Sequence, residues 1–301
     1  QGLRKADRKW ITGNRRLIIA DSANRRCRGV AALGLARVTK LRDDPEMMFS
    51  PDAVRQWYEH SQTRKSAVVD VAVDGQAPKW CCATANRSIK PRLANRRFGA
   101  RSPSWRIWEA GHALLRRSLR CPQPLLFVEF TSDLGMHHQY LLTEAVPNAS
   151  RLSDFLAACG SLSPTDRERM LERCLNRLAL DVRRMFVRGI DHRALNAQNV
   201  LVSATGDACE IYFWGLEAVR VRLRLTPKQV MTSLASLNVS VPASLHVRLS
   251  HRLRFLRRLL QNRICGTLSK TGWKNAWREI ARESALLPAG ENEACRAFPY
   301  C

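Results

Sequence analysis

The chain has 301 residues, with 50 Lys and Arg against 26 Asp and Glu, a formal net charge of +24. Hydrophobic residues at 45% and charged residues at 25% describe a globular protein with a real core and exclude a disordered basic tail. No run of about eighteen apolar residues occurs, so no transmembrane helix is expected. The stretch from Gln1 to Lys9 is charged and lacks an apolar segment, so no secretory signal is expected there.

The cationic surplus favours an anionic partner: a nucleic acid, an acidic membrane face or a phosphorylated ligand. Nine of the basic residues are Lys, so Arg dominates, and Arg is the residue that grips phosphate through two hydrogen bonds. Its densest stretches are Arg220, Arg222 and Arg224 at alternating positions and the segment from Arg252 to Arg263. No aromatic–basic stacking motif accompanies them, which ranks nucleic acid below the other partners. The ten cysteines include no CxxC pair and no Cys/His cluster with zinc-ligand spacing. Thiols rather than disulfides are expected, and no metal site.

Residues 1–59 read as a helical extension, with an apolar patch from Val30 to Val38 and a turn at Asp44-Pro45. From Ser66 the period changes to two: Val69, Val71 and Val73 alternate with Asp70, Ala72 and Asp74. With a turn at Asp74-Gly75, Lys79 to Ala85 is the returning strand of a hairpin. A basic loop from Asn86 to Arg101 follows. Ser102-Pro103 reads as an N-cap followed by Pro at the first helical position, opening a helix that carries Trp105, Trp108, His112 and Leu115. Glu109 on that helix reads either as a solvated face position or as a site acid that pairs with a Lys. Pro124 to Phe130 and Tyr140 to Thr143 read as strands, with His137-His138 exposed in the polar loop between them.

Glu144 to Ser150 reads as a connector into a helical half. Ser163-Pro164 with Asp166 starts a helix whose buried stripe runs through Met170, Leu171, Cys174, Leu178, Val182, Met185 and Phe186, and Gly189 stops it. A polar loop from Asp191 to Asn199 precedes short strands at Val200 to Val202 and Glu210 to Trp214. From Thr226 to about Leu287 the pattern is helical. There Leu249, Leu253, Leu256 and Leu260 form a stripe with Arg254, Arg257 and Arg258 between them, and Trp273 and Trp277 form a packing face. Strands followed by helices, joined by a connector, give an α+β chain in two lobes.

The stretch that carries chemistry is His192-Arg193-Ala194-Leu195-Asn196-Ala197-Gln198-Asn199. Its frame is that of the kinase catalytic loop H-R-D-L-x-x-x-N, whose Asp accepts the proton of the attacking hydroxyl. Ala194 stands in the Asp position, and a methyl group accepts no proton. Asp191, the nearest acid, is expected to point away from Ala194.

With its surroundings, this stretch resembles the Kdo/WaaP family of bacterial lipopolysaccharide kinases. Tyr140-Leu141-Leu142-Thr143-Glu144, the helix running into Gly189-Ile190-Asp191-His192, and Asn199-Val200-Leu201-Val202 fall in that family's order. Leu253-Arg254-Phe255-Leu256-Arg257 and Trp273-Lys274 to Ile280 do so too. The resemblance covers about residues 60–285 and implies a two-lobed protein-kinase-like fold. The lobes are expected at 60–147 (strand-rich) and 148–287 (helical), with a tail at 288–301. It also implies ATP-dependent phosphorylation of a sugar in the lipopolysaccharide core, or a similar acceptor, and a cytoplasmic location peripheral to the inner face of the cytoplasmic membrane.

The same resemblance places Gly215 where the family has its metal-binding Asp, and Ala83 where it has its phosphate-binding Lys. Asn199, the family's second metal ligand, and His192 remain. Phosphate neutralisation, proton acceptance and the principal metal carboxylate are thus missing together, and phosphoryl transfer rests mainly on positioning and charge stabilisation. The reading is a pseudokinase that binds no cofactor and acts as a binding or regulatory module toward an anionic lipid, a phosphorylated glycan or a protein. The rival is a weakly active kinase using ATP and Mg²⁺, with Lys79 and Glu217 as substitutes.

Overall fold

Ala67, Val69 and Val71 turn into one hydrophobic core, and Cys81, Ala83 and Ala85 on the returning strand join them there. The period of two read from the sequence therefore builds a strand pair, with Ala67 opposite Ala83 and Val69 opposite Cys81. The computed structural model describes residues 17–22, 24–30, 33–71, 79–89, 102–134, 136–206, 208–242, 245–260 and 268–287. The Asp74-Gly75 turn, the basic loop beyond Ile89, Cys265, Cys295, Cys301 and the tail from 288 lie outside these residues, as does the side chain of Lys79.

The first half of the chain runs β1 (Leu17–Ile19), β2 (Arg25–Val30), α1 (Leu35–Asp43), β3 (Val54–His60), β4 (Arg64–Val71) and β5 (Lys79–Ile89). Next come α2 (Pro103–Arg116), β6 (Pro124–Thr131) and β7 (Met136–Glu144). The second half runs β8 (Ala149–Arg151), α3 (Leu152–Cys159), α4 (Pro164–Val187), β9 (Ile190–His192), β10 (Val200–Thr205), β11 (Ala208–Phe213) and β12 (Val219–Val221). It ends with α5 (Pro227–Val239), α6 (Leu249–Leu260) and α7 (Leu268–Leu286). Seven strands form one antiparallel sheet in the order β1-β2-β6-β7-β5-β4-β3, while β11-β10-β8 and β12-β9 make two small ladders in the helical half.

The helix starts follow the chemistry read from the sequence. Ser102 Oγ accepts from the Trp105 amide at 3.1 Å, and Ser163 Oγ accepts from the Asp166 amide at 3.2 Å, each with Pro at the first turn. Thr226 and Gln229 form a reciprocal capping box on α5. Along α4, Leu171, Cys174, Leu178, Val182, Met185 and Phe186 are buried at spacings of three and four, and they anchor the core of the helical lobe. Emptying one such position, for example Leu178→Ala, costs about 2–5 kcal/mol. Helix α2 serves both lobes: Trp108 and Ala113 face the core of the sheet, and Ala110 and Leu114 face that of the helices.

The segment before residue 60 departs from the helical extension expected of it. Where described, it supplies strands β1, β2 and β3, which are both edges of the sheet and one neighbour. Arginines mask the strand period of β2: Arg26 pairs with Glu129 at 2.8 Å, Arg28 with Asp21, and Arg25 donates to the carbonyls of Arg42 and Asp43. Glu46, just after α1, fastens the segment down by accepting from Lys65 at 2.6 Å, Arg87 at 2.7 Å and the Tyr140 hydroxyl at 2.7 Å. These partners come from three different strands, a relationship invisible to local periodicity.

Two smaller expectations also change. His137 and His138 are not in an exposed loop; they sit on β7, half-buried, and His138 stacks on Phe130 at 4.8 Å. The strand starts in polar residues because the pairing partner, not hydrophobicity, extends it. On α6 the buried face runs through His251, Leu256 and Leu259, and Leu249 is exposed. His251 is held inside by Glu168 at 3.0 Å, which rotates the helix away from the simple leucine stripe.

Candidate active site

Helix α4 ends at Gly189, whose φ of +71° turns the chain into β9. The Arg222 amide then donates to the Gly189 carbonyl at 2.7 Å. The loop that follows is built by backbone bonding. Asn196 Oδ1 accepts from the amides of Gln198 and Asn199 at 3.1 and 2.9 Å, and Leu195 donates to the His192 carbonyl. Asn199 Nδ2 donates to the Ala194 carbonyl at 2.9 Å, and the Trp214 amide donates to the Asn199 carbonyl at 2.9 Å.

His192 is fully buried, and its Nε2 lies 2.6 Å from the Trp214 carbonyl. A carbonyl can only accept, so the imidazole donates from Nε2. Burial pushes the imidazole down to about 4, against a smaller opposing pull from that carbonyl, so the ring is neutral at pH 7. It braces the loop against the residue before Gly215. Asp191, also buried, is held by Arg222 at 2.8 Å and Arg193 at 3.7 Å.

Gly215 adopts φ 65°, ψ 40° in the left-handed region. A Cβ there would sit 2.7 Å from both Cγ and Oδ1 of Asn199. The space that an acidic side chain at 215 would need is filled by the Asn199 amide. Asn199 and Gly215, the positions that the resemblance assigns to the metal, are therefore packed against each other.

Above this loop lies a cleft lined by Thr84, Leu141 and Thr143 from the sheet, Ile107 from α2, and Trp214, Gly215 and Glu217 from below. Ala83 is not among its walls: it is fully buried and belongs to the sheet's core, and its neighbour Thr84 faces the cleft. The alternation of Cys81, Ala83 and Ala85 against Thr84 carries this information in the sequence. Lys79 holds its place in β5 opposite Val71. Glu217 reaches the cleft wall, and no cation lines it among the described residues. The solvated reading of Glu109 does not hold: the residue is 7% exposed and buried. It lies on the helix that packs between the two cores, where even polar positions lose contact with water.

A strand-rich lobe, a helical lobe and a catalytic-type loop braced beneath the cleft define a protein-kinase-like fold. A family model described as the lipopolysaccharide kinase (Kdo/WaaP) family matches residues 53–252, and the chain belongs to that family. Among solved structures it is similar to "WaaP in complex with acyl carrier protein", with 18% sequence identity and a TM-score of 0.57, over 90% of this chain and 98% of that one. That likeness is one of fold. No curated protein matches the chain.

The residues present lack the acids with which such a fold holds ATP and Mg²⁺: positions 194 and 215 carry no carboxylate, and the Asn199 amide donates to the Ala194 carbonyl. Among the described residues no group of three His, Cys, Asp or Glu is poised to hold a metal, no disulfide joins the cysteines, and no helix is long and apolar enough to cross a membrane.

Proposed function

We propose that this protein is a catalytically inactive member of the Kdo/WaaP lipopolysaccharide kinase family, a pseudokinase that serves as a binding or regulatory module. The observation that carries the reading is the contact between Asn199 and Gly215, which occupies the place of the metal carboxylate. Ala194, which has no carboxylate, and the uncharged Thr84 on the cleft wall support it. Loss of any one such group costs orders of magnitude in rate, because transition-state charge goes uncompensated.

The +24 charge supports an anionic partner, an acidic lipid or phosphorylated glycan at the inner face of the cytoplasmic membrane. The neighbour WaaP is held in complex with acyl carrier protein, which supports a protein as the partner instead. Glu217 on the cleft wall favours one second reading: slow ATP-dependent transfer to a lipopolysaccharide-core sugar or similar acceptor, with Glu217 on the metal; Lys79, on the strand face of Ala83, falls on the core side of β5.

Incubation with γ-labelled ATP, Mg²⁺ and lipopolysaccharide core separates the two. The pseudokinase reading expects no label transfer above the protein-free control, and the same background from Glu217→Gln. Transfer that disappears in Glu217→Gln would establish the second reading.

A further inference from the structure

Trp273 and Trp277, four residues apart, part company in the fold. Trp277 packs against the core of the helical lobe, whereas Trp273 lies half-buried where α7 meets α6. The φ of +67° at Gly272 breaks α7 and opens its regular part at Trp273. Arg257 on α6 places its guanidinium over the Trp273 ring, 5.5 Å from the centroid, and Lys274 places Nζ over it at 5.8 Å. Both distances are within reach of a cation–π contact. One indole therefore carries two cations from two helices.

The other charges of α6 show which cations are left for a partner. The helix holds four arginines and no acid. Arg252 is used internally, donating to the Asn238 carbonyl at 2.9 Å and to the Val241 carbonyl. Arg254 meets Glu172 at 3.4 Å and Glu168 at 3.8 Å. Arg257 and Arg258 follow one turn later on the same face and are exposed, as is Lys274. Among the described residues these three form no ion pair with a carboxylate.

Exposed cations around a half-buried indole suit a bilayer interface. The indole has an apolar body for the headgroup level, and Lys and Arg beside it are drawn to acidic lipid. Both cations lie over the ring, where a nucleobase would have to stack, which disfavours a single-stranded nucleic acid.

We propose that Arg257, Arg258, Trp273 and Lys274 form the face by which this protein docks on a bilayer rich in acidic lipid. The proposal rests on the reading of an acidic lipid as the partner and names the surface that meets it. It does not depend on whether the cleft transfers phosphate.

The test is co-sedimentation of the full chain with vesicles of phosphatidylcholine alone and of equal parts phosphatidylcholine and phosphatidylglycerol. Binding is expected to the acidic vesicles and is expected to weaken as salt is raised. Arg257→Gln with Arg258→Gln is expected to lower that affinity at least about tenfold with an unchanged melting temperature. Lys40→Gln with Arg55→Gln removes the same charge from exposed positions in the strand-rich half. This control is expected to change affinity less than about twofold, because screening confines the attraction to charges near the bilayer. Acidic vesicles with brominated acyl chains are expected to quench part of the tryptophan emission, and that quenching is expected to be absent in Trp273→Phe.

No binding to acidic vesicles would overturn the lipid reading itself. A loss in Arg257→Gln with Arg258→Gln no larger than in the control pair would leave that reading standing and overturn the face proposed here. Tighter binding to single-stranded DNA than to acidic vesicles, lost in the same double variant, would assign the face to nucleic acid and overturn it as well.

Discussion

The side chain of Asn199 occupies the space beside Gly215, within 2.7 Å of where a Cβ would stand. Two positions that should grip one metal ion between them instead pack against each other. The Asn199 amide also donates to the Ala194 carbonyl, which ties these two loop positions together. The loop keeps the frame of a catalytic loop because its backbone bonds need Asn196, Asn199 and His192, none of which depends on the missing acids.

Restoring the acid at 215 alone should therefore harm the protein. Gly215→Asp places a Cβ against Asn199 in a left-handed backbone conformation, and an expected loss of about 2–4 kcal/mol follows. Urea unfolding measures it. In Gly215→Asp with Asn199→Ala, part of the loss should return, giving a coupling of about 1 kcal/mol or more in a double-mutant cycle. Strict additivity would show that the two residues do not compete for space.

Stability should fall on mild acidification. Burial depresses His192 and His112 from 6.5 to about 4 in the folded chain. Between those values the unfolded chain binds more protons, so the stabilisation is complete above 6.5 and is lost as the pH drops toward 4. Each histidine contributes up to about 3 kcal/mol over that interval. Denaturation midpoints measured from pH 7.5 to 4.5 should decline, and His112→Phe should flatten part of the decline.

Glu46 should matter far more than an ordinary surface acid. Burial raises its carboxyl, but bonds from Lys65, Tyr140 and Arg87 outweigh that and hold it at about 2. Its contribution is present above 4.5 and disappears as the pH falls through 2. Glu46→Ala is expected to cost about 1–3 kcal/mol by leaving three donors without their acceptor. Limited proteolysis should show earlier cleavage before residue 60, because this network ties that segment to the sheet.

Among the described cysteines, Cys209 should be the first to react with iodoacetamide in the native protein. A hydrogen bond from Cys174 lowers its pKa, and Arg177 lends further support, whereas burial pushes Cys27 up to about 12. Peptide mass spectrometry of briefly alkylated protein gives the order of labelling.

The elements with strong local signatures were legible without a structure. Capped helix starts at Ser102 and Ser163, the alternating valines of β4 and the stripe of α4 each carry their own instruction. What local pattern could not reveal depends on distant partners. Strand β2 looks polar until Glu129, Asp21 and the end of α1 are brought to its arginines, and Glu109 looks solvated until two cores close around α2. The catalytic loop was readable because its spacing is contiguous. On β5 the alternation of Cys81, Ala83 and Ala85 against Thr84 separates two faces, and the fold decides which of them meets the cleft. The contact between Asn199 and Gly215 spans sixteen residues and comes from the fold.

The central claim is tested most directly by titration calorimetry of the full chain with ATP in the presence and absence of Mg²⁺. A degenerate cleft is expected to give no saturable heat and no difference between the two titrations at ATP concentrations up to the millimolar range. Saturable binding that tightens with Mg²⁺ and is lost in Glu217→Gln would contradict the account.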